Sequence, residues 1–206
     1  MSPDLWVEWS LWAYPVVFVL VVLDGVFPAV PSEAVVTGLA ALIHVEDGPQ
    51  PAVLWFVAAT GAWVGDQVAY SLGVLSLRAR RSVPGMRGPR AAMVLERAGA
   101  ALHERGVTAL VTARFLPVVR VAVNVVAGAA SFPRRRFMLV TAGTSAVWSI
   151  YVVGLGLGVA QLVEVPPMAR AGVGVVAGLV IGTLLDAVVR ARRSAVARRR
   201  PSSDRD

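Results

Sequence analysis

The sequence contains no cysteine, no lysine and only two histidines, His44 and His103. Without cysteine there is no disulfide and no thiolate to hold a metal. Two histidines are too few for a histidine-based metal cluster, so no metal site is expected, and nothing in the chain implies a cofactor. With no lysine, every one of the 20 basic residues is arginine. Basic residues are also missing ahead of the first apolar run. "MSPDLWVEWS" is acidic, and no small-residue cleavage site follows it, so a typical signal peptide is not expected. What the chain has in abundance is apolar surface. Hydrophobic residues make up 56% of its 206 residues and the mean hydropathy is +0.67. That exceeds an ordinary soluble domain and points to one all-α domain in a membrane.

The net charge is +7. Most of the arginines fall in two blocks, Arg78–Arg105 and Arg190–Asp206, each with seven arginines against two acids. In a chain this apolar, such blocks read as cytoplasmic flanks that meet anionic lipid head groups; nucleic acid is not an expected partner. Residues 1–189 are therefore assigned to a transmembrane domain and 190–206 to a basic cytoplasmic tail without fixed structure. Arg78–Arg105 reads as an amphipathic helix at the surface.

Five apolar stretches follow one another: 11–43, 51–77, 107–130, 137–163 and 168–189. A spanning helix needs about 20 apolar residues. Placing arginine-rich segments inside and the acidic pieces "MSPDLWVE", "HVEDG" and "VEVPP" outside makes the second, fourth and fifth single crossings. The third has arginine at both ends, Arg105 and Arg134, so one crossing would violate that rule. The first has acidic flanks on both sides and is too short for two crossings. Each holds proline where a helix would break: Pro28 and Pro31 in the first, Pro117 in the third. The expected architecture is two opposed re-entrant helical hairpins plus about three spanning helices, an inverted repeat of the transporter kind.

The hairpin tips carry charge. "DGVFPAVPSE" holds Asp24 and Glu33, and "RFLPVVR" holds Arg114 and Arg120. At the bilayer centre such residues cost about 2.5–3.5 kcal/mol each on insertion scales. The cost falls if the tips meet or line a wet cavity. Arginine suits an anionic head group, because guanidinium offers phosphate two parallel hydrogen bonds. Burial favours a carboxyl that holds a proton, and a neighbouring arginine opposes it. Two readings therefore stand: Asp24 and Glu33 couple transport to protons, or they only balance the arginines.

Weaker features surround these. Asp66 and Tyr70 lie one helical turn apart in "GAWVGDQVAYSLG", where either could line the cavity. Asn124 is placed to hydrogen-bond opened backbone or a substrate. Gly174, Gly178 and Gly182 recur every fourth residue, as in a helix-packing face within the protein; homo-oligomerisation stays open. His44 and His103 carry no assigned role.

The segments "DGVFPAVPSE", "GDQVAYSLG" and "RFLPVVRVAVNVVAGAASFPRRRF", with Trp148 downstream, resemble the DedA family of bacterial membrane proteins, which share the SNARE-associated or VTT domain. The resemblance covers about Asp24 to Trp148. It departs from the family pattern at Asp24, often glutamate, and at Ala69, usually glycine. It implies that Asp24 and Glu33 are membrane-embedded acids, that Arg114 and Arg120 are essential arginines, and that Trp148 borders the cavity. It also implies a bacterial plasma-membrane protein that moves lipid between leaflets. Undecaprenyl phosphate and phosphatidylethanolamine are its associated lipids, with dependence on proton-motive force.

The expected function is thus a proton-coupled flippase for a phosphate-bearing lipid, and no enzyme. The alternative is a small-solute or ion transporter serving membrane homeostasis. A lipid-phosphate enzyme lacks its usual histidine nucleophile or cluster of aspartates. A purely structural assembly factor would tolerate neutral substitutions at all four tip charges.

Overall fold

The computed structural model describes residues 3–44, 48–82, 106–114, 116–162, 165–166 and 168–180, with residues 100, 102, 104 and 183. The tail 190–206, Gly182, His103 and most of the basic segment Arg78–Arg105 lie outside the described residues.

All regular structure among the described residues is helical. The helices are α1 (Pro3–Asp24), α2 (Ser32–Ala40), α3 (Pro51–Ser82), α4 (106–113), α5 (Pro117–Ala129), α6 (Arg134–Leu162) and α7 (Met168–Val180). Proline explains where most of them start. α1, α3 and α5 begin on Pro3, Pro51 and Pro117, and Pro31 is the N-cap of α2. Pro133 and Pro166 accept the first-turn bonds of α6 and α7, from the N–H groups of Phe137 and Arg170. At a helix start, the missing N–H of proline would have had no partner anyway.

The same chemistry breaks the first and third apolar stretches. Between α1 and α2 the chain passes through tight turns. Phe27 N–H donates to Leu23 O at 2.7 Å and Ser32 N–H to Val30 O at 2.9 Å. Between α4 and α5 the break is shorter, with Leu116 N–H on Ala113 O at 3.0 Å. α5 ends in a Schellman turn. Phe132 N–H reaches Ala127 O and Ser131 N–H reaches Gly128 O. Ser131 takes the left-handed position there, at φ 57°.

α3 is the hub and packs against α1, α5 and α6, while α2 packs against α6. α3 has a 26-residue apolar stretch, Pro51–Ser76, and α6 is 29 residues long. At about 1.5 Å per residue, both exceed the roughly 30 Å hydrocarbon core of a bilayer. The third expected spanning segment is described only as the 13 residues of α7.

Two crossings depend on missing side chains. Where α5 crosses α3, Gly128 lies on the carbonyl of Tyr70 and Gly73 on that of Val125, so that any Cβ would meet backbone. Where α7 crosses α2, a Cβ on Gly174 would stand 3.0 Å from the Cα of Gly38, and one on Gly178 would stand 3.1 Å from that of Ala34. Two of the three regularly spaced glycines thus form a packing face within the chain. Apolar helices gain little from the hydrophobic effect in lipid, so this close backbone contact supplies dispersion energy instead.

One apolar core gathers Val17, Val21, Val36, Leu54 and Trp148; a second gathers Tyr70, Leu110, Phe132 and Phe137. The second is fastened by polar contacts. Tyr70 Oη donates to Phe132 O at 2.6 Å, and the Arg134 guanidinium lies 5.9 Å from the Tyr70 ring centroid.

Candidate functional site: a buried cluster of two arginines and three acids

α1 ends on Asp24, which is buried, and its carboxylate faces the start of α2. Ser32 Oγ donates to Asp24 Oδ2 at 2.6 Å. Arg120, from the first turn of α5, reaches the same place with Nη2. It sits 3.1 Å from Asp24 Oδ2 and donates to Asp24 O at 2.9 Å. The second contact satisfies a carbonyl that the end of α1 leaves without an intrahelical donor. A cation at a helix C-terminus also meets the negative end of the helix dipole.

Arg114 follows the last turn of α4 and is equally buried. Its Nη1 is ion-paired and hydrogen-bonded to Asp66 Oδ2 from the middle of α3. Asn124, one turn after Arg120 on α5, donates from Nδ2 to the other oxygen, Asp66 Oδ1, at 2.8 Å. The Arg114 guanidinium stands 5.5 Å from the centroid of the Trp148 ring, within cation–π range. The indole Nε1 of Trp148 donates to Glu33 Oε1 at 3.2 Å. Glu33 makes no ion pair among the described residues.

Six elements therefore meet. Asp24 comes from α1, Ser32 and Glu33 from α2, Asp66 from α3, Arg114 from the end of α4, Arg120 and Asn124 from α5, and Trp148 from α6. The sequence suggests ion pairs between the two tips. The structure contains one of these, Asp24 with Arg120. The other arginine takes its acid from α3, which makes Asp66 a full member of the cluster. Glu33 is left with an indole instead of a guanidinium. Tyr70, on the same helix face as Asp66 in sequence, lies apart in the second core. Pro28 and Pro31 shape the α1–α2 break, and Pro117 stands at the start of α5.

Beside the cluster lies a cavity of about 230 Å³. Asp24, Ser32, Glu33, Arg114 and Arg120 line its polar side, and Pro28–Pro31 and Ala34 add apolar wall. Gly178, Leu179 and Thr183 complete it. That contribution from the last apolar stretch was not legible in the sequence, where Gly178 read only as helix packing.

The guanidiniums are not fully used. Arg114 Nε and Nη2 and Arg120 Nε are buried and find no hydrogen-bond partner among the described residues. Buried charged donors are costly to leave unpaired. Ready N–H groups on two adjacent cations are suited to a tetrahedral oxyanion. No group of three or more histidine, cysteine, aspartate or glutamate side chains able to hold a metal occurs among the described residues.

Comparison with known proteins adds the family. Residues 30–158 match the VTT domain. The chain is 27% identical over 151 residues to the undecaprenyl phosphate transporter A of Staphylococcus aureus, covering 71% of this chain and 74% of that protein. It is 30% identical over 144 residues to an alkaline phosphatase-like protein of Lactococcus lactis subsp. cremoris, covering 66% of each chain. No solved structure matches it at a comparable level of significance. The domain match covers more than half the chain, and it includes Glu33, Asp66, Arg114, Arg120, Asn124 and Trp148: this protein belongs to the VTT-domain family, the DedA family.

Proposed function

We propose that the chain is a membrane transporter that carries a phosphate-bearing lipid between leaflets, with Arg114 and Arg120 holding the phosphate. The observation that carries this reading is the set of unpartnered N–H groups on two buried arginines beside one cavity. The name of the Staphylococcus aureus relative supports undecaprenyl phosphate, a phosphomonoester, as the substrate; the phosphodiester of phosphatidylethanolamine offers two non-bridging oxygens to the same arginines. α3, α6 and α7 cross the bilayer. The two proline-broken segments, α1–α2 and α4–α5, dip in from opposite faces without crossing. The membrane is a bacterial plasma membrane, with the C-terminus cytoplasmic.

Charge counting supports proton coupling. Asp24, Glu33 and Asp66 outnumber Arg114 and Arg120 by one. A bound monoanion would leave two excess negative charges in a low-dielectric site, a heavy penalty. Protonating Glu33, the acid with no cation partner, removes one of them. Asn124 fixes Asp66 and Trp148 orients Glu33. A small anionic solute would satisfy the same arginines, and the partly apolar wall favours the lipid.

The test is translocation in proteoliposomes. Arg114→Ala, in protein that still purifies as a folded species, abolishes transport of a phosphate-bearing lipid. Wild-type transport rates in that variant would overturn the assignment. Uptake of small anions without any lipid movement would favour the solute transporter.

A further inference from the structure

The cavity is small. Its volume is about 230 Å³. A phosphate head group fits and a long hydrocarbon chain does not. Any chain attached to that head group must leave the cavity.

The walls differ in how they allow this. Asp24, Ser32 and Arg120 are buried and tied to one another, and Arg114 is buried and tied to Asp66. Across from them, Ala29 and Pro31 at the α1–α2 tip are exposed, and Leu179 on α7 is 46% exposed. Thr183 lies one turn beyond Leu179, on the same helical face, and is exposed too. Its hydroxyl donates to Leu179 O and Val180 O, both at 2.9 Å. That side chain therefore has its donor satisfied by its own helix. One cavity is thus lined both by the guanidiniums and by this exposed, mainly apolar side. α7 also lies beyond the matched domain, 30–158. The head-group residues belong to the shared domain, with Asp24 just ahead of it, and the α7 side of this wall does not.

We propose that the gap between the Pro28–Pro31 tip and α7 is a lateral portal occupied by the hydrocarbon chain of the bound lipid, and that Leu179 determines specificity for that chain. The inference rests on the lipid-phosphate reading and adds a chain site to its head-group site. Leu179 packs on the chain methylenes nearest the phosphate. A bulkier side chain there closes the portal without touching the arginines.

The experiment uses the full chain in nanodiscs, with empty nanodiscs as background. Binding of dodecyl phosphate is compared with that of inorganic phosphate. Leu179→Trp displaces about two methylenes at ~0.8 kcal/mol each, so dodecyl phosphate binds about tenfold more weakly. Inorganic phosphate stays within about twofold, less than ~0.5 kcal/mol. No change for either ligand, or an equal loss for both, overturns the portal. If the wild type binds neither, the lipid-phosphate reading itself fails, which is a separate result. A second measurement covers a misfolded tryptophan variant. The chain has no native cysteine, so Leu179→Cys gives a single labelling site. Dodecyl phosphate slows its reaction with maleimide and inorganic phosphate does not. Absence of protection, or equal protection by both, contradicts the proposal.

Discussion

In the first broken segment α1 stops at Asp24, and α2 starts with Ser32 and Glu33. In the second, α4 gives way to Arg114, and α5 starts with Pro117 and Arg120. Both segments break at proline, and both set charges beside the break. They differ in sign, and they differ in how they are anchored. α2, from the acidic segment, lies against α6; α5, from the basic one, lies against α3. The second arm of each segment therefore leans on the long helix that follows the other, while α1 packs on α3 as well. That exchange brings opposite charges together: Arg120 bonds Asp24 across the two segments, while Arg114 turns back to Asp66 on α3. Two segments of like sign would repel in so buried a cluster. Opposite signs let Asp24 and Arg120 pair across the segments, which makes such buried charges tolerable. The match is incomplete on both sides: among the described residues Glu33 has no cation partner and the arginines keep N–H groups without an acceptor. The arginine remainder suits an anion and the glutamate remainder suits a proton.

Removing one side of the cross-segment contact has the largest expected effect. Arg120→Ala leaves Asp24 buried without its cation and uncaps α1. It should cost about 3–5 kcal/mol, read as a lower unfolding midpoint in detergent, together with loss of transport. Asp24→Asn with Arg120→Gln neutralises both partners; it should recover most of the stability and none of the transport. The next test separates the anchors from the charges. Gly128→Leu drives side-chain atoms into the Tyr70 carbonyl and pushes α5 away from α3. Thermal unfolding should fall and phosphate binding should weaken with it, because Arg120 and Asn124 ride on α5.

Smaller changes resolve single bonds. Ser32→Ala removes the hydroxyl donor to Asp24 and should cost about 1.5–3 kcal/mol, the usual worth of a bond to a charged group. Trp148→Phe keeps an aromatic ring beside Arg114 and drops the N–H to Glu33. It should shift the pH dependence of transport while changing stability by only about 1 kcal/mol. Ser131→Gly relieves the left-handed residue at the end of α5 and should stabilise the fold by about 1 kcal/mol with transport unchanged.

The helix breaks were legible in the sequence because proline acts locally: Pro31 and Pro117 decide helix starts wherever the rest of the chain goes. The gathering of Asp24, Glu33, Arg114 and Arg120 was legible for an energetic reason, since isolated charges among valines and alanines have few affordable places. Their pairing was not. Whether Arg114 meets Glu33 or Asp66 depends on the rotation and depth of α3 against α5, which Gly73 and Gly128 set through contacts distant in sequence. Tyr70 shows the same limit. It shares a helix face with Asp66 by spacing, yet a partner in the α5–α6 turn draws it into the second core. The cavity wall from α7 was invisible because Leu179 and Thr183 look like any lipid-facing residues.

The central claim is that the free N–H groups of Arg114 and Arg120 bind the phosphate of a lipid. Isothermal titration of dodecyl phosphate into the wild type and into Arg114→Gln with Asp66→Asn, which removes both buried charges together, tests it directly. Loss of two charge-assisted hydrogen bonds at ~1.5–3 kcal/mol each predicts binding weakened by about a hundredfold or more in a variant that still folds. Equal affinity in the two proteins would contradict the account.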